Sequence, residues 1–413
     1  MNNTFITHFS DIEDPRIDRC KRHQLIDILF LSVSAVLTGA EGWEDIEQFG
    51  RIKLDWLRKY LPFENGIPKH DTIARVLSRL EPQAIQACFI KWVRDIAQDS
   101  QVDVIAVDGK TARRSFSTKE RNNALHMVSA WSCAHGLVIG QQKVDGKSNE
   151  ITAIPALLEL LDIEGGCITL DAMGCQKEIT KTITVKKADF VIALKGNQGG
   201  LHEEVKAYFH KVLREKCAHT GHDTDEQINT GHGRIEVRKC LQLEVDDTWI
   251  TKLKGWQGIK TVIEIQSERH VGEKVTTETR YYISSLAVNA ERASQVIRQH
   301  WAVENSLHWT LDMTFREDES RIRRGNGAQV MNALRKVALN IVRNNTTRKA
   351  SMKQKLKQAS LDDQFRANYY WVRIYNALAL DHPAFSHTNM LEAGINVLIS
   401  LMVPVFIIKC PLS

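Results

Sequence analysis

The sequence lacks the cysteine spacings that form metal sites or disulfide frameworks. Its eight cysteines include no CxxC pair, and none is spaced as the ligands of a zinc site usually are. Without such pairs, the simplest expectation is a set of reduced thiols, several of them packed in the core. The cysteines therefore favour a cytoplasmic protein over a secreted one.

Long apolar segments are also missing from most of the chain. The N-terminus has no apolar core of the kind that a signal peptide carries. The first 392 residues contain no apolar run of membrane-spanning length. One uncharged run follows, Ala393 to Ile408, but it is short for a span and Pro404 interrupts it. We expect no membrane partner, and we expect this run to lie loosely on the surface or to be poorly ordered.

A strong excess of either charge is absent too. Lys and Arg number 55 against 50 Asp and Glu, a net charge of +5, which permits nucleic acid as a partner without requiring it. With 43% hydrophobic and 25% charged residues, 413 residues can form two or three domains with a substantial core.

The first 95 residues have the apolar spacing of helices, and we predict a helical N-terminal domain over residues 1–95. Basic residues follow the helical faces: Arg51, Lys53, Arg58, Lys59, Lys69, Arg75 and Arg79. Two interpretations stay open, because small basic helical units dock on DNA and because packing domains also carry solvated charged faces.

Two predicted strands end in aspartates. Val102 and residues 104–107 are apolar and mostly β-branched, and Asp108 follows them at the expected carboxyl end of the strand. A carboxylate there either binds a metal or caps the next turn. A second short strand, Cys167 to Leu170, ends at Asp171. In an α/β domain two such aspartates can converge on one hard cation such as Mg²⁺.

The order of elements after residue 96 is strand, hairpin, helix, strand, helix, strand. This order predicts an α/β fold with a ribonuclease H-like mixed sheet flanked by helices, over residues 96–350. Alternating patterns at about 217–286 predict a β-rich insertion within that domain. We predict a C-terminal tail over residues 351–413, and from about 368 we expect little contribution to the catalytic core.

Glu304 is a third candidate carboxylate, on a predicted helix from Ala290 to Asp312. Its bulky apolar neighbours make an unpaired carboxylate costly, and metal binding would remove that cost. The alternative is a partner on the same helix, and His300 and His308 lie four residues to either side.

Basic and polar residues cluster beside these acids and suit a polyanionic substrate. The candidates for DNA contact are Lys110, Arg113, Arg114, Lys195, Asn197, His232, Arg234, Arg321, Arg323 and Arg324. The competing interpretations are an exposed basic loop for the first three and a simple turn for Lys195 to Gln198.

With these residues identified, the sequence resembles the DDE transposases of bacterial insertion sequences, of the H-repeat-associated type. LTGAEGWEDIEQFG, AVDGKTAR, TLDAMGCQKEI, LKGNQ and HWAVENSLHW look like that family's blocks, in order, and the likeness runs from about residue 8 to about residue 366. It implies a ribonuclease H-like core and two Mg²⁺ ions, for which Mn²⁺ can substitute. Asp108, Asp171 and Glu304 would be the catalytic, metal-binding triad.

The resemblance also implies a partner and a reaction. The partner would be double-stranded DNA, both element ends and target, with a homodimer in the synaptic complex. The reaction would be strand cleavage followed by strand transfer; a nuclease without transfer and an inactive DNA-binding remnant are the alternatives. Related transposases carry Tyr, Arg and Lys near the glutamate where this chain has Ile297, His300 and Leu311. Here His300, Arg298, His308 or the Arg321–Arg324 cluster would contact phosphate instead.

Overall fold

The computed structural model describes residues 4–97, 104–116, 124–145, 149–231, 233–246, 249 and 255–370. Its N-terminal part is helical, as the apolar spacing predicts. The helices are α1 (Thr4–Phe9), α2 (Leu25–Val36), α3 (Trp43–Leu57), α4 (His70–Leu77) and α5 (Pro82–Ala97). Within the described ranges, no helix has the length and hydropathy of a membrane span.

A nine-stranded sheet follows, in the order β3-β2-β1-β4-β5-β9-β8-β7-β6. The first five strands are β1 (Val104–Ala112), β2 (Leu125–Ser132), β3 (Leu137–Lys143), β4 (Cys167–Leu170) and β5 (Asp189–Leu194). β1, β2 and β3 pair antiparallel, whereas β4 pairs parallel to both β1 and β5. This mixed α/β arrangement is the predicted ribonuclease H-like core.

The β-rich insertion extends the same sheet. Its strands are β6 (His222–Gly231), β7 (Arg234–Glu244), β8 (Thr261–Val271) and β9 (Lys274–Ser284). β9 pairs antiparallel with β5, which joins the four strands to the core. The sequence indicated three of them and missed β6, because HDTDEQINTG has no apolar alternation. Such a pattern fits an exposed edge strand that buries neither face.

Helices cover the sheet and carry the remaining site residues. They are α6 (Glu150–Leu160), α7 (Lys177–Val185), α8 (Gly199–Arg214), α9 (Ala290–Ala302), a π-helical segment (Val303–His308), α10 (Trp309–Met313), α11 (Gly327–Asn344) and α12 (Met352–Leu361). α11 lies at the centre and packs against α2, α5 and β3. One continuous buried cluster therefore joins the N-terminal helices to the sheet.

The C-terminal segment corrects one expectation. Residues 363–370 are helical and pack on α2 and α3. The ring of Tyr370 lies 5.2 Å from that of Phe30, and its hydroxyl is 2.9 Å from Ser34 Oγ. Tyr369 is buried. The prediction of little contribution from residue 368 onward is wrong for both tyrosines, because burial of their aromatic rings beside α2 removes apolar surface from water. The run Ala393 to Ile408 lies outside the described residues.

Candidate active site

Asp108 and Asp171 lie side by side in the sheet. The parallel pairing of β1 with β4 ends at Val107 opposite Leu170, so the two aspartates occupy the next positions on neighbouring strands. Neighbouring strands are about 4.8 Å apart. Asp108 is not at the end of its strand, as the sequence suggested: β1 continues to Ala112 because β2 goes on pairing with it. The site therefore forms where the parallel partner stops.

Of the two aspartates, Asp171 caps a turn. Its Oδ1 accepts hydrogen bonds from the backbone N–H groups of Met173 (2.9 Å) and Gly174 (3.2 Å). Oδ2 receives no hydrogen bond from any described residue. Capping and metal binding are thus compatible in this residue, since one oxygen stays available.

Glu304 reaches the same region from the π-helical segment. It is exposed, which corrects the expectation of apolar surroundings: Val303 and Leu307 take the buried side of the helix instead. Insertions of π-helix often occur at functional sites, where they redirect a side chain. Glu304 and Asp171 line one cavity of about 480 Å³.

The two histidines beside Glu304 have other partners. His300 Nδ1 is 3.0 Å from Thr169 Oγ1, and His308 Nδ1 is 3.5 Å from Asp108 Oδ2. Burial lowers the pKa of His300 to about 4. Burial, with the charges of Lys336 and Lys110, lowers the pKa of His308 to about 3. Both rings are therefore neutral at pH 7, and neither supplies a cation to neutralise Glu304.

The electrostatics of the site show uncompensated negative charge. Burial, followed by the charges of Asp171, Glu150 and Glu304, raises the pKa of Asp108 to about 7. Burial and the charge of Glu150 raise the pKa of Asp171, against the opposing effects of its backbone hydrogen bonds from Gly174 and Met173 and of the charge of Lys195. Carboxylates that destabilise one another in this way are the environment that a divalent cation relieves.

The donor set fits a hard divalent cation, since carboxylate oxygens are the ligands that Mg²⁺ prefers. In the described part of the chain, however, no three His, Cys, Asp or Glu side chains converge closely enough to hold an ion as they stand. The carboxylates that would hold Mg²⁺ therefore lie in the same region, but their side chains do not form a complete coordination sphere.

Lys110 is engaged elsewhere. Its Nζ lies 2.7 Å from Asp312 Oδ1, 3.1 Å from Asp318 Oδ1 and 3.4 Å from Glu317 Oε2. Three carboxylates thus neutralise this ammonium and hold it away from solvent. Lys110 is therefore not available to contact phosphate, because its side chain on β1 points to the Asp312–Glu319 segment.

Exposed arginines from two chain segments form one surface, here called the arginine patch. It consists of Arg113, Arg114, Arg321, Arg323 and Arg324. Arg323 Nε donates to the carbonyl of Arg114 at 3.0 Å and joins the two segments. Part of the charge of Arg113 is balanced by Asp318, at 3.2 Å.

The loop that carries the arginine patch docks on the N-terminal helices. The backbone N–H of Asn326 donates to the carbonyl of Ser78, and its side-chain amide to that of Leu80, both at 2.9 Å. Arg75 and Arg79, on and just after α4, are exposed on the same unit. The packing interpretation of the N-terminal helices is thus supported, and their docking on DNA stays a prediction, for which Arg75 and Arg79 are exposed beside the loop.

The remaining candidates for DNA contact differ in their position relative to the cavity. Lys195 is exposed and lines the cavity with Asp171 and Glu304. Asn197 holds a turn instead, because its Nδ2 donates to the carbonyl of Ala172 at 2.7 Å. Arg298 is exposed on α9 but does not line the cavity. His232 lies outside the described residues.

Arg234 is remote from the site. It pairs with Val271 at the outer end of the insertion, while the contact of β9 with β5 ends at Tyr281. At about 3.3 Å per residue, the seven residues from Tyr281 to Lys274 place the outer end of the insertion roughly 20 Å from the contact between β9 and β5. The expectation that Arg234 borders the triad is wrong, because the strands of the insertion run on beyond the core sheet.

Two residues of the site escaped the sequence analysis. Arg280 lines the cavity, with its guanidinium 5.3 Å from the ring centre of Trp301. Glu150, the first residue of α6, carries a charge that raises the pKa of both aspartates. Arg280 lies within β9, a strand that appears in the sequence only as alternation, and Glu150 looks like an ordinary first-turn acid. Strand pairing brings Arg280 to the site and helix packing brings Glu150, and no local pattern reveals either.

Comparison with known proteins places this geometry in a family context. Residues 99–341 match the family model described as "Transposase DDE domain", and residues 6–93 match "DDE_Tnp_1-associated". The "H repeat-associated putative transposase YhhI" of Escherichia coli (strain K12) is 45% identical over 87% of this chain and 96% of its own length. "Putative transposase YncI" of Escherichia coli O157:H7 is 43% identical over 87% and 92%. "Inactive transposase YbfQ" of the K12 strain is 65% identical, but over only 14% of this chain and 68% of its own length.

Proposed function

Because this chain belongs to the Transposase DDE domain family, whose members generally depend on divalent metals, we propose that it cleaves DNA at the ends of an insertion element and transfers the freed strand to target DNA. The observation that carries the proposal is the placement of Asp108 and Asp171 on adjacent parallel strands, with Glu304 on the cavity that Asp171 also lines. A phosphodiester that entered this cavity would meet Asp171 and Glu304, with Asp108 on the strand beside Asp171.

In this proposal Asp108, Asp171 and Glu304 hold two Mg²⁺ ions, for which Mn²⁺ can substitute. When bound, the ions supply charge stabilisation at the scissile phosphate and activation of the attacking oxygen. The protein contributes positions that change little during the reaction. Two of the three acids stand on or directly after buried strands, where packing fixes their backbone.

Cations on the cavity wall contribute binding of the phosphate. Lys195 and Arg280 lie on the wall that Asp171 and Glu304 share, and they replace in function the Arg and Lys that related enzymes carry near the glutamate. His300 does not replace them, because burial keeps it neutral. Leu311 is buried and apolar, so it supplies no charge itself.

The reaction proceeds in two balanced steps. Water attacks the phosphorus at the element end, the bond to the 3′ oxygen breaks, and that oxygen leaves as a 3′-hydroxyl. The hydroxyl then attacks a target phosphodiester and displaces a second 3′ oxygen. The arginine patch holds the DNA backbone beside the cavity through sequence-independent charge contacts. A homodimer would bring two element ends together.

The test is an assay of linear DNA carrying the element end, with Mg²⁺ and a target plasmid. Joined products support the proposal, whereas cut products alone would identify a nuclease and a mobility shift alone a DNA-binding remnant. Asp108→Asn should remove both products and keep the shift. Asp55→Asn, an exposed change on α3, is the matched control and should leave all three unchanged.

A further inference from the structure

A fourth acidic side chain lies beside the two aspartates, and we propose that Glu150 is a positioning residue of the metal centre. Its carboxylate would accept hydrogen bonds from water molecules on a divalent cation held by Asp108 and Asp171. This inference rests on the proposed function, since it assumes that these aspartates bind the cation. Mg²⁺ keeps several of its waters in protein sites, so acceptors around it matter as much as ligands.

The first observation is how closely Glu150 approaches the residue that follows Asp108. A Cβ built on Gly109 would overlap Oε1 of Glu150 and lie 2.7 Å from Nε2 of His126. A side chain at position 109 would force this carboxylate and the His126 ring to move, so glycine lets both lie close against β1. The missing side chain thus creates a cradle one residue away from the first aspartate.

The second observation concerns the position of α6 relative to Asp171. α6, which begins at Glu150, packs against the Ala172–Gly174 turn that follows Asp171. The same helix therefore contacts the elements that carry both aspartates. Its first residue lies between the segment after Asp108 and the turn after Asp171.

The third observation is that His126 orients the carboxylate. His126 Nε2 is 2.7 Å from Glu150 Oε1, and Nδ1 of the same ring is 2.6 Å from Thr111 Oγ1. The ring thus bridges β1 and α6 and engages one oxygen of Glu150. Oε2 receives no hydrogen bond from the described part of the chain, so it can accept one from a bound water.

A purely structural role for Glu150 is the competing explanation, since acids are favoured in the first turn of a helix. The cap of α6 is already formed by another residue, because Asn149 Oδ1 accepts the backbone N–H of Ile151 at 3.1 Å. Glu150 is also largely enclosed, with 18% of its side chain exposed. An acid that served only the helix dipole would be better hydrated.

The experiment measures Mn²⁺ binding to the full-length chain without DNA, by the loss of the free-ion signal in electron paramagnetic resonance. Glu150→Gln keeps the size of the side chain and an oxygen that His126 can contact, but it removes the charge. We expect Mn²⁺ affinity to fall about tenfold or more. Glu178→Gln, a first-turn acid on α7 whose side chain is 77% exposed, is the matched control and should bind Mn²⁺ as the wild type does.

His126→Phe is a second variant, which removes the contact with Oε1 while keeping a ring. It should lower Mn²⁺ affinity in the same direction, whereas a helix-stabilising role would lower only the melting temperature. Unchanged Mn²⁺ affinity in Glu150→Gln, while Asp108→Asn loses binding, would overturn this inference and leave the proposed function standing. Absence of Mn²⁺ binding in the wild type would overturn both the inference and the metal centre itself.

Discussion

Replacement of Asp108 by asparagine should stabilise the metal-free protein while it removes DNA cleavage. Asp108 is a buried carboxyl whose pKa is raised from 3.8 to about 7 by burial and by its acidic neighbours. Its charged form is therefore unfavourable in the folded state. Asparagine has nearly the same shape and cannot ionise, so it relieves that cost.

The size of the effect follows from the raised pKa. A difference of about three pH units between the folded and unfolded states corresponds to about 4 kcal/mol at a pH above both pKa values. The asparagine amide must also find hydrogen-bond partners in the site, which offsets part of the gain. We expect a net increase of about 2 kcal/mol in the unfolding free energy at pH 8.

The pH dependence gives the sharper test. Below the unfolded pKa, near 4, Asp108 is protonated in both states and costs nothing. As pH rises from about 4 to about 7, the unfolded chain releases this proton while the folded protein retains it, so wild-type stability falls. The advantage of Asp108→Asn should therefore grow from pH 5 to pH 7 and become constant above it.

The assay is urea unfolding in EDTA at several pH values, compared with the exposed control Asp55→Asn. Added Mg²⁺ should stabilise the wild type and leave Asp108→Asn unaffected, because binding to the folded state alone adds stability. An advantage that is absent at pH 8, or that is the same at pH 5 and pH 8, would refute the argument that crowded carboxylates destabilise the empty site.

Two further predictions concern the arginine patch and the C-terminal segment. Reversal of charge at Arg323 and Arg324 should weaken DNA binding and reduce the slope of log affinity against log salt by roughly two, at about 0.9 for each lost phosphate contact. The same change at the remote Arg234 should alter neither the affinity nor the slope. Equal effects at the arginine patch and at Arg234 would contradict the assigned surface. Truncation after Ala367 should cost about 5 kcal/mol relative to truncation after Tyr370, because it removes one buried and one half-buried tyrosine; equal melting temperatures would show that these rings do not complete the core.

Much of the fold could be predicted because its strands and helices follow local patterns. β4 and β5 coincide with short apolar runs to within one residue, since a buried strand has to be largely apolar on both faces. β6 could not be found in this way, because a polar edge strand is held by backbone hydrogen bonds to β7 and by no apolar face. The continuation of β1 past Asp108 was hidden for the same reason: backbone pairing with β2 extends it through polar residues.

For the site, the sequence by itself determined which acids stand after buried strands and which family the chain resembles. Asp108 and Asp171 could be named because the end of an apolar run is a local feature, whereas the parallel pairing of β1 with β4 that brings them side by side is a tertiary one. Only the tertiary structure decided which basic residues stay available. In the sequence, Lys110 and Arg234 are basic residues like Arg323 and cannot be told apart from it. In the structure, Lys110 is neutralised by Asp312, Glu317 and Asp318, and Arg234 lies at the outer end of the insertion. Glu150 is the converse case, since a first-turn acid becomes part of the site only when α6 sets it over a glycine of β1. The physical reason is common to all of them: burial along a strand is encoded residue by residue, whereas the partner of a charge depends on which distant elements pack together.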